Sequence, residues 1–195
     1  MRFVFAVACG AIFVAIQSIA LAATPVPVSG GAATLSPNNT KIQFVGTHSG
    51  AKPDPRTGGF AKFKGKAEID AAKKTLKSVS VEIETASLFT EIQKLTDHLK
   101  SPDFFEVREY PKATFESTKV VAGATGKATI TGKLALHGVT KEISFPATIE
   151  VGEKGLTLKS EFSIDRTQFG MTFGKGKVEP KISMTVIIGE KTTPK

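Results

Sequence analysis

Short runs of strictly alternating side chains constrain this chain more than any other feature. Ala128, Ile130, Gly132, Leu134 and Leu136 fall on one face, opposed by Lys127, Thr129, Thr131, Lys133 and Ala135. A period of two, with one apolar and one polar face, is the mark of a strand that buries one side. The same pattern sets Ile42, Phe44, Gly46 and His48 on one face, then Phe63, Gly65, Ala67 and Ile69, then Val79, Val81, Ile83 and Thr85. It resumes with Ala113, Phe115 and Ser117, with Val139 to Phe145, with Leu156 to Ile164 and with Ile182 to Ile188. Gly50 to Gly59, with two prolines, reads as a turn region, and Pro146 as a bulge or edge. Eight short strands at close intervals predict an antiparallel barrel or sandwich. Gly46, Gly65 and Gly132 on inner faces favour the barrel, because glycine within a strand permits tight bending or close approach. A barrel of this size is filled by side chains or holds one small ligand.

One stretch breaks the alternation. From Leu88 the apolar residues Ile92, Leu95 and Leu99 recur at helical spacing. Thr90 is placed to cap that helix, and Pro102 ends it, since proline cannot continue the hydrogen-bond ladder. Asp103, Phe104 and Phe105 follow as an irregular piece, and Pro111 leads back into strand. This segment is expected to cap the barrel. Phe104, Phe105, Phe169 and Phe173 lie in irregular segments, where they plug a barrel end or gate a long apolar ligand.

Outside the alternating region the chain changes character. Met1-Arg2 is followed by an uncharged apolar run from Phe3 to Ala23, with small residues at Ala20-Leu21-Ala22. Residues 1–22 therefore read as a cleaved secretory signal, the alternative being an uncleaved anchor, and the expected location is periplasmic or secreted. The only cysteine, Cys9, lies in that run, so the rest of the chain has neither disulfide nor thiol nucleophile. Residues 23–39 are Pro/Gly-rich and uncharged and read as a flexible linker. The folded domain is expected over 40–190, with 191–195 a tail.

The formal net charge is +8, mostly lysine spread along the chain. That suits a soluble basic surface, or attraction to anionic membrane. No nucleic-acid recognition module is visible. His48, His98 and His137 are far apart, with no metal-ligand spacing. There is no Gly-x-Ser-x-Gly elbow. Glu82 and Glu84 share the wet face of their strand, where lysine partners are expected. Gly174-Lys175-Gly176-Lys177 lacks the spacing of a phosphate loop and reads as a mobile loop. What remains is an apolar interior with sparse polar groups at its mouths, the usual make-up of a small-molecule site.

Several phrases, in order, resemble one family: Phe44 with His48; Gly59-Phe60, then Phe63 and Gly65; Ser87 and Thr90; HLKSPDFFEVREYPKATFES from His98; TGKLALHGVTKEISFP from Thr131; and Asp165-Arg166, then Phe169-Gly170. Together they resemble the YceI-like polyisoprenoid-binding periplasmic proteins over the whole predicted domain. The resemblance implies a lipocalin-like eight-stranded antiparallel barrel with one short helix and an irregular cap. It implies no catalysis, and the sequence leads one to expect no cofactor or metal. The implied ligand is an isoprenoid, of polyprenyl phosphate or quinone type, or a similar long-chain amphiphile, held for transport, storage or stress response. Phe44, His48, Phe63, Phe115, Leu134 and Phe162 would line the tail. Phe104 and Phe105 would close one end, with Phe169 in the same aromatic cluster. Arg166 and Gln168 would meet the head group. Family members often carry Arg-Asp just before the His-Leu; this chain has Leu95-Thr96-Asp97-His98, so no head-group arginine is carried onto that segment. The competing expectation is an enzyme acting on such a lipid, with His48 or His98 as acid/base. An exposed strand edge offers a route to a homodimer.

Overall fold

The computed structural model describes residues 23–49 and 52–194. The strands are β1 (Ala32–Leu35), β2 (Thr40–His48), β3 (Asp54–Phe60), β4 (Phe63–Asp70), β5 (Thr75–Glu84), β6 (Leu88–Thr90), β7 (Lys112–Ala122), β8 (Lys127–Leu136), β9 (Val139–Gly152), β10 (Gly155–Asp165) and β11 (Lys181–Ile188). Among the described residues there is one α-helix, α1 (Gln93–Lys100), between β6 and β7. The apolar leader expected over residues 1–22, Cys9 included, lies outside the described residues. Among those described, no helix is long and apolar enough to cross a membrane.

The eleven strands form eight walls, because three walls are broken in two. β2 pairs with β3 through Phe44↔Gly58, and β1 pairs with β4 through Ala33↔Ala67. Thus β1 and β2 are halves of one wall, and β3 and β4 halves of the next. The third wall breaks at the 3-10 turn Thr85–Ser87, with β5 on β4 and β6 on β3. Ser87 Oγ ties two breaks together by accepting from the Lys62 backbone N–H at 3.0 Å. β7 to β11 follow as unbroken antiparallel walls, and β11 returns to β2 from Ser183↔Val45 to Ile188↔Thr40. Each wall has two neighbours, as in an up-and-down barrel.

The ladder is interrupted where the sequence leads one to look. β9 and β10 pair only from Gly155↔Gly152 to Lys159↔Thr148. Beyond that lies Pro146, which has no N–H to donate. The buried Ser160 hydroxyl donates to the Pro146 carbonyl at 2.6 Å. Phe145 and Phe162, stacked at 4.3 Å, fill the inner side of the split.

The linker expectation for residues 23–39 is overturned. Val26 and Leu156 exchange two backbone hydrogen bonds, both of 2.9 Å, and the Thr24 N–H donates to Gly189 O at 2.7 Å. Val26, Ala33 and Leu35 are buried in the main core beside Ile130, Leu156 and Ile188. The segment is the floor of the barrel and the first half of its first wall. Composition misleads because three apolar side chains are enough when all point inward. The tail is tied down at Thr192, whose Oγ1 donates to Thr40 O at 2.8 Å.

The cap is close to expectation, with two corrections. The residue at the N-cap position of α1 is Ile92, not Thr90. Thr90 acts from further back: its N–H donates to Thr96 Oγ1 at 2.9 Å, and its own hydroxyl contacts Ile92. Ile92 is 41% exposed, so the helix is held by Leu95, Thr96 and Leu99 instead. Pro102 follows directly on the C-cap Ser101. Chain segment 101–110 then crosses the barrel end. The turn at His137 and Gly138 has both φ positive, 51° and 73°, as tight hairpins require.

Candidate functional site

Two adjoining cavities occupy the barrel. The upper one, about 190 Å³, lies under the cap, and the deeper one is about 110 Å³. Ile83, Leu134, Ile164 and Met184 line both and so form the neck between them. Below the neck Phe115, Phe145 and Phe162 surround the space, and Thr40 is the sole non-apolar lining residue. Above it Phe44, Phe60 and Phe105 make a mutually packed group, with ring centroids 5.8 to 6.3 Å apart. Phe44 depends on a glycine: a Cβ at Gly58 would lie 2.3 Å from its ring. A larger residue there would push the ring into the cavity.

A lid of three rings closes the top. His98 meets Phe104 and Phe173, each at 5.1 Å and edge to face, and Phe104 meets Phe173 at 5.4 Å. His98 Nε2 is also 2.8 Å from Asp103 Oδ2, which fixes the imidazole against the cap. Phe173, 44% exposed, rides on the glycine-rich loop between β10 and β11.

That loop is organised by Arg166, which is only 3% exposed. Its Nε donates to Glu179 O, Nη1 to Met171 O and Nη2 to Val178 O, so one guanidinium holds both ends of the loop. Its edge lines the cavity, and the Phe104 ring sits 5.8 Å from its Cζ. Burial pulls the guanidinium below its ordinary pKa range. Next to it, Asp165 caps the 3-10 turn Arg166–Phe169. The Thr167 hydroxyl, donating at 2.6 Å, holds the Asp165 carboxyl below the usual carboxylate range, helped by the Thr167 N–H.

Of the expected site residues, Phe44, His48, Phe104, Phe105, Phe115, Leu134, Phe162 and Arg166 line one or both cavities. Three do not. Phe63 packs in the wall with Ile42, Phe60 and Leu88. Phe169 is buried against Ala113, Leu136 and Met171. Gln168 is exposed, because the turn capped by Asp165 points it outward. His137 lies outside the cavities: its Nδ1 donates to Phe169 O at 3.0 Å, its ring packs on Tyr110, and its Nε2 has no hydrogen-bond partner. Glu82 sits on the outer wall between Lys64 at 3.3 Å and Lys112 at 3.1 Å. Lys112, then Lys64, hold its carboxyl low. Among the described residues no metal-binding group of three or more His, Cys, Asp or Glu occurs.

Sequence reasoning missed Arg56. With Pro53, Pro55 and the Gly58-Gly59 pair around it, its neighbourhood read as a turn. It is in β3, opposite Gly46 of β2. Directly opposed residues share a face, so Arg56 belongs to the inner column of Phe44 and Gly46, and it lines the upper cavity. The available signal was Gly46, an inner position with no side chain of its own.

A closed antiparallel barrel with a greasy interior, a capped end and polar groups at its mouth defines the lipocalin-like class. More specifically, the chain belongs to the YceI-like family, whose model matches residues 34–190. Among curated proteins it is 42% identical over 91 residues to a UPF0312 protein of Pseudomonas putida (strain W619), covering 47% of each chain. It is 43% identical over 96 residues to one of Ectopseudomonas mendocina. The chain thus spans about half the length of the curated relatives it matches. Among solved structures, Burkholderia cenocepacia BcnA aligns with a TM-score of 0.67 at 24% identity, covering 76% of this chain and 94% of BcnA. The Campylobacter jejuni YCEI protein gives 0.58 at 28%, covering 73% and 86%. A polyisoprenoid binding domain from Saccharophagus degradans gives 0.60 at 13%, covering 80% and 95%.

Proposed function

We propose that this protein is an exported, non-catalytic carrier that holds an isoprenoid or similar long-chain amphiphile inside its barrel, for transport, storage or stress response. One observation carries the reading: two cavities that adjoin at an apolar neck, with imidazole and guanidinium groups only at the capped end. Apolar burial stabilises a long tail by about 25 cal/mol per Å² without any directed bond. The Saccharophagus domain named for polyisoprenoid binding has the same fold, which supports the ligand class. Export rests on the apolar leader ahead of the barrel. On this reading the lipid is collected from a membrane, and the lysine-rich outer wall favours anionic bilayers. A homodimer formed by edge pairing would use β3 beyond the reach of β6, or the split between β9 and β10.

Organic extraction of the protein purified from its own host, followed by mass spectrometry, tests the proposal. We expect a long-chain amphiphile in stoichiometric amount. A barrel that is empty on extraction and stays empty with added isoprenoids overturns it. The catalytic alternative rests on the His98–Asp103 contact at the cavity wall. His98→Ala and His48→Ala are expected to leave the chemical identity of the bound lipid unchanged; a change in it would favour catalysis.

A further inference from the structure

We infer that the head group this barrel selects is anionic, a phosphate or carboxylate on a long apolar tail, and that Arg56 receives it. The inference rests on the lipid-holding reading and narrows it to a chemical class.

The residues lining the upper cavity that can carry charge are His48, Arg56, His98 and Arg166. Among the described residues, no Asp, Glu or Lys lines either cavity. A mouth built for a quinone ring or a free alcohol has no need of that one-signed set. Arg166 supplies a fixed positive charge in a nearly dry place, balanced by backbone carbonyls and by no ion pair in contact. A buried cation of this kind is further stabilised by an anion brought close to it. Its three hydrogen bonds leave it little freedom, so it acts as a fixed field rather than a grasping side chain.

Arg56 is the exposed member. Its side chain is 45% exposed, at the water-facing edge of the same cavity. Gly46 directly opposite leaves room for the guanidinium to swing inward. It pairs with Asp54 through Nη2. A guanidinium has five donors, and the rest of the fork can bind a phosphate or carboxylate in the two-bond geometry that arginine favours. Asp54 and Asp103 each sit beside a rim cation without lining the cavity. His48, exposed and bridged through its backbone to Val178, stands at the same rim.

The test uses delipidated full chain and four probes: geranylgeranyl monophosphate, geranylgeranic acid, geranylgeraniol and inorganic phosphate. Displacement of a fluorescent fatty probe reads the affinity. The phosphate and the acid are expected to bind about tenfold more tightly than the alcohol, the size of one charge-assisted hydrogen bond. Arg56→Gln is expected to remove most of that preference, bringing the phosphate and the acid down toward the alcohol. Arg56→Lys keeps part of it, and a thermal melt checks that both variants fold. Equal binding of all three lipids, unchanged in Arg56→Gln, overturns the head-group inference and leaves the carrier reading standing. Failure of all three lipids to bind overturns both. Inorganic phosphate binding as tightly as the lipid phosphate shows a small-anion site and overturns the amphiphile head.

Discussion

Arg166 shows how a residue can be legible in the sequence while its role is not. The Asp165-Arg166 phrase pointed to it, but a linear pattern does not say which carbonyls a guanidinium will find. Here it finds three in its own loop, so its first job is to shape the mouth. Arg166→Met leaves those carbonyls without their donor and is expected to destabilise the fold by about 3 kcal/mol, read as a lower denaturant midpoint. Asp165→Ala removes the cap on the neighbouring turn and is expected to cost about 1 kcal/mol at neutral pH. The sign of its pH dependence follows from the lowered folded pKa. The stabilisation is complete above the unfolded value of about 3.9 and fades as pH falls through the folded one. Melts of wild type and variant should therefore converge in strong acid. A gap that persists there would mean that the carboxylate is not the source. Arg56 was illegible for a local reason. Prolines and paired glycines usually punctuate chains, and only the partner strand shows that these lie within a ladder.

The elements differ in how firmly each was written. Unbroken walls such as β8 could be read from alternation alone, because one buried face leaves register little choice. The broken walls could not: β6 is three residues long, too short for any period to show. The floor was missed because Val26 stands among prolines and small residues. Val26→Ala is expected to lower stability by about 2 kcal/mol, whereas truncation in a true linker would shift nothing. Differential scanning calorimetry separates the two. At the other end, Phe173 contributes less to stability than to closure, being half in solvent. Phe173→Ala should leave the melting temperature nearly unchanged and speed lipid release in a stopped-flow transfer to acceptor vesicles. Unaltered release would show that the three-ring lid does not gate the mouth.

At the scale of the molecule, the neck decides how much of the barrel a ligand can use. Leu134→Trp fills it, at the risk of overpacking costs of about 1 to 3 kcal/mol. A folded variant should retain short tails in the upper cavity and lose long ones, as a chain-length series in the same displacement assay would show. The barrel also has a seam. Seven of its eight wall contacts join neighbours along the chain, and only the β11–β2 ladder joins the last wall to the first. Hairpins can form early, as each closes a short loop, but the seam has to wait for the whole chain. The Thr24 to Gly189 hydrogen bond and the Thr192 to Thr40 hydrogen bond lie beside it, like stitches at the end of a row. Folding is therefore expected to finish there, with a nearly complete, still-open sheet as the last species exposed to aggregation.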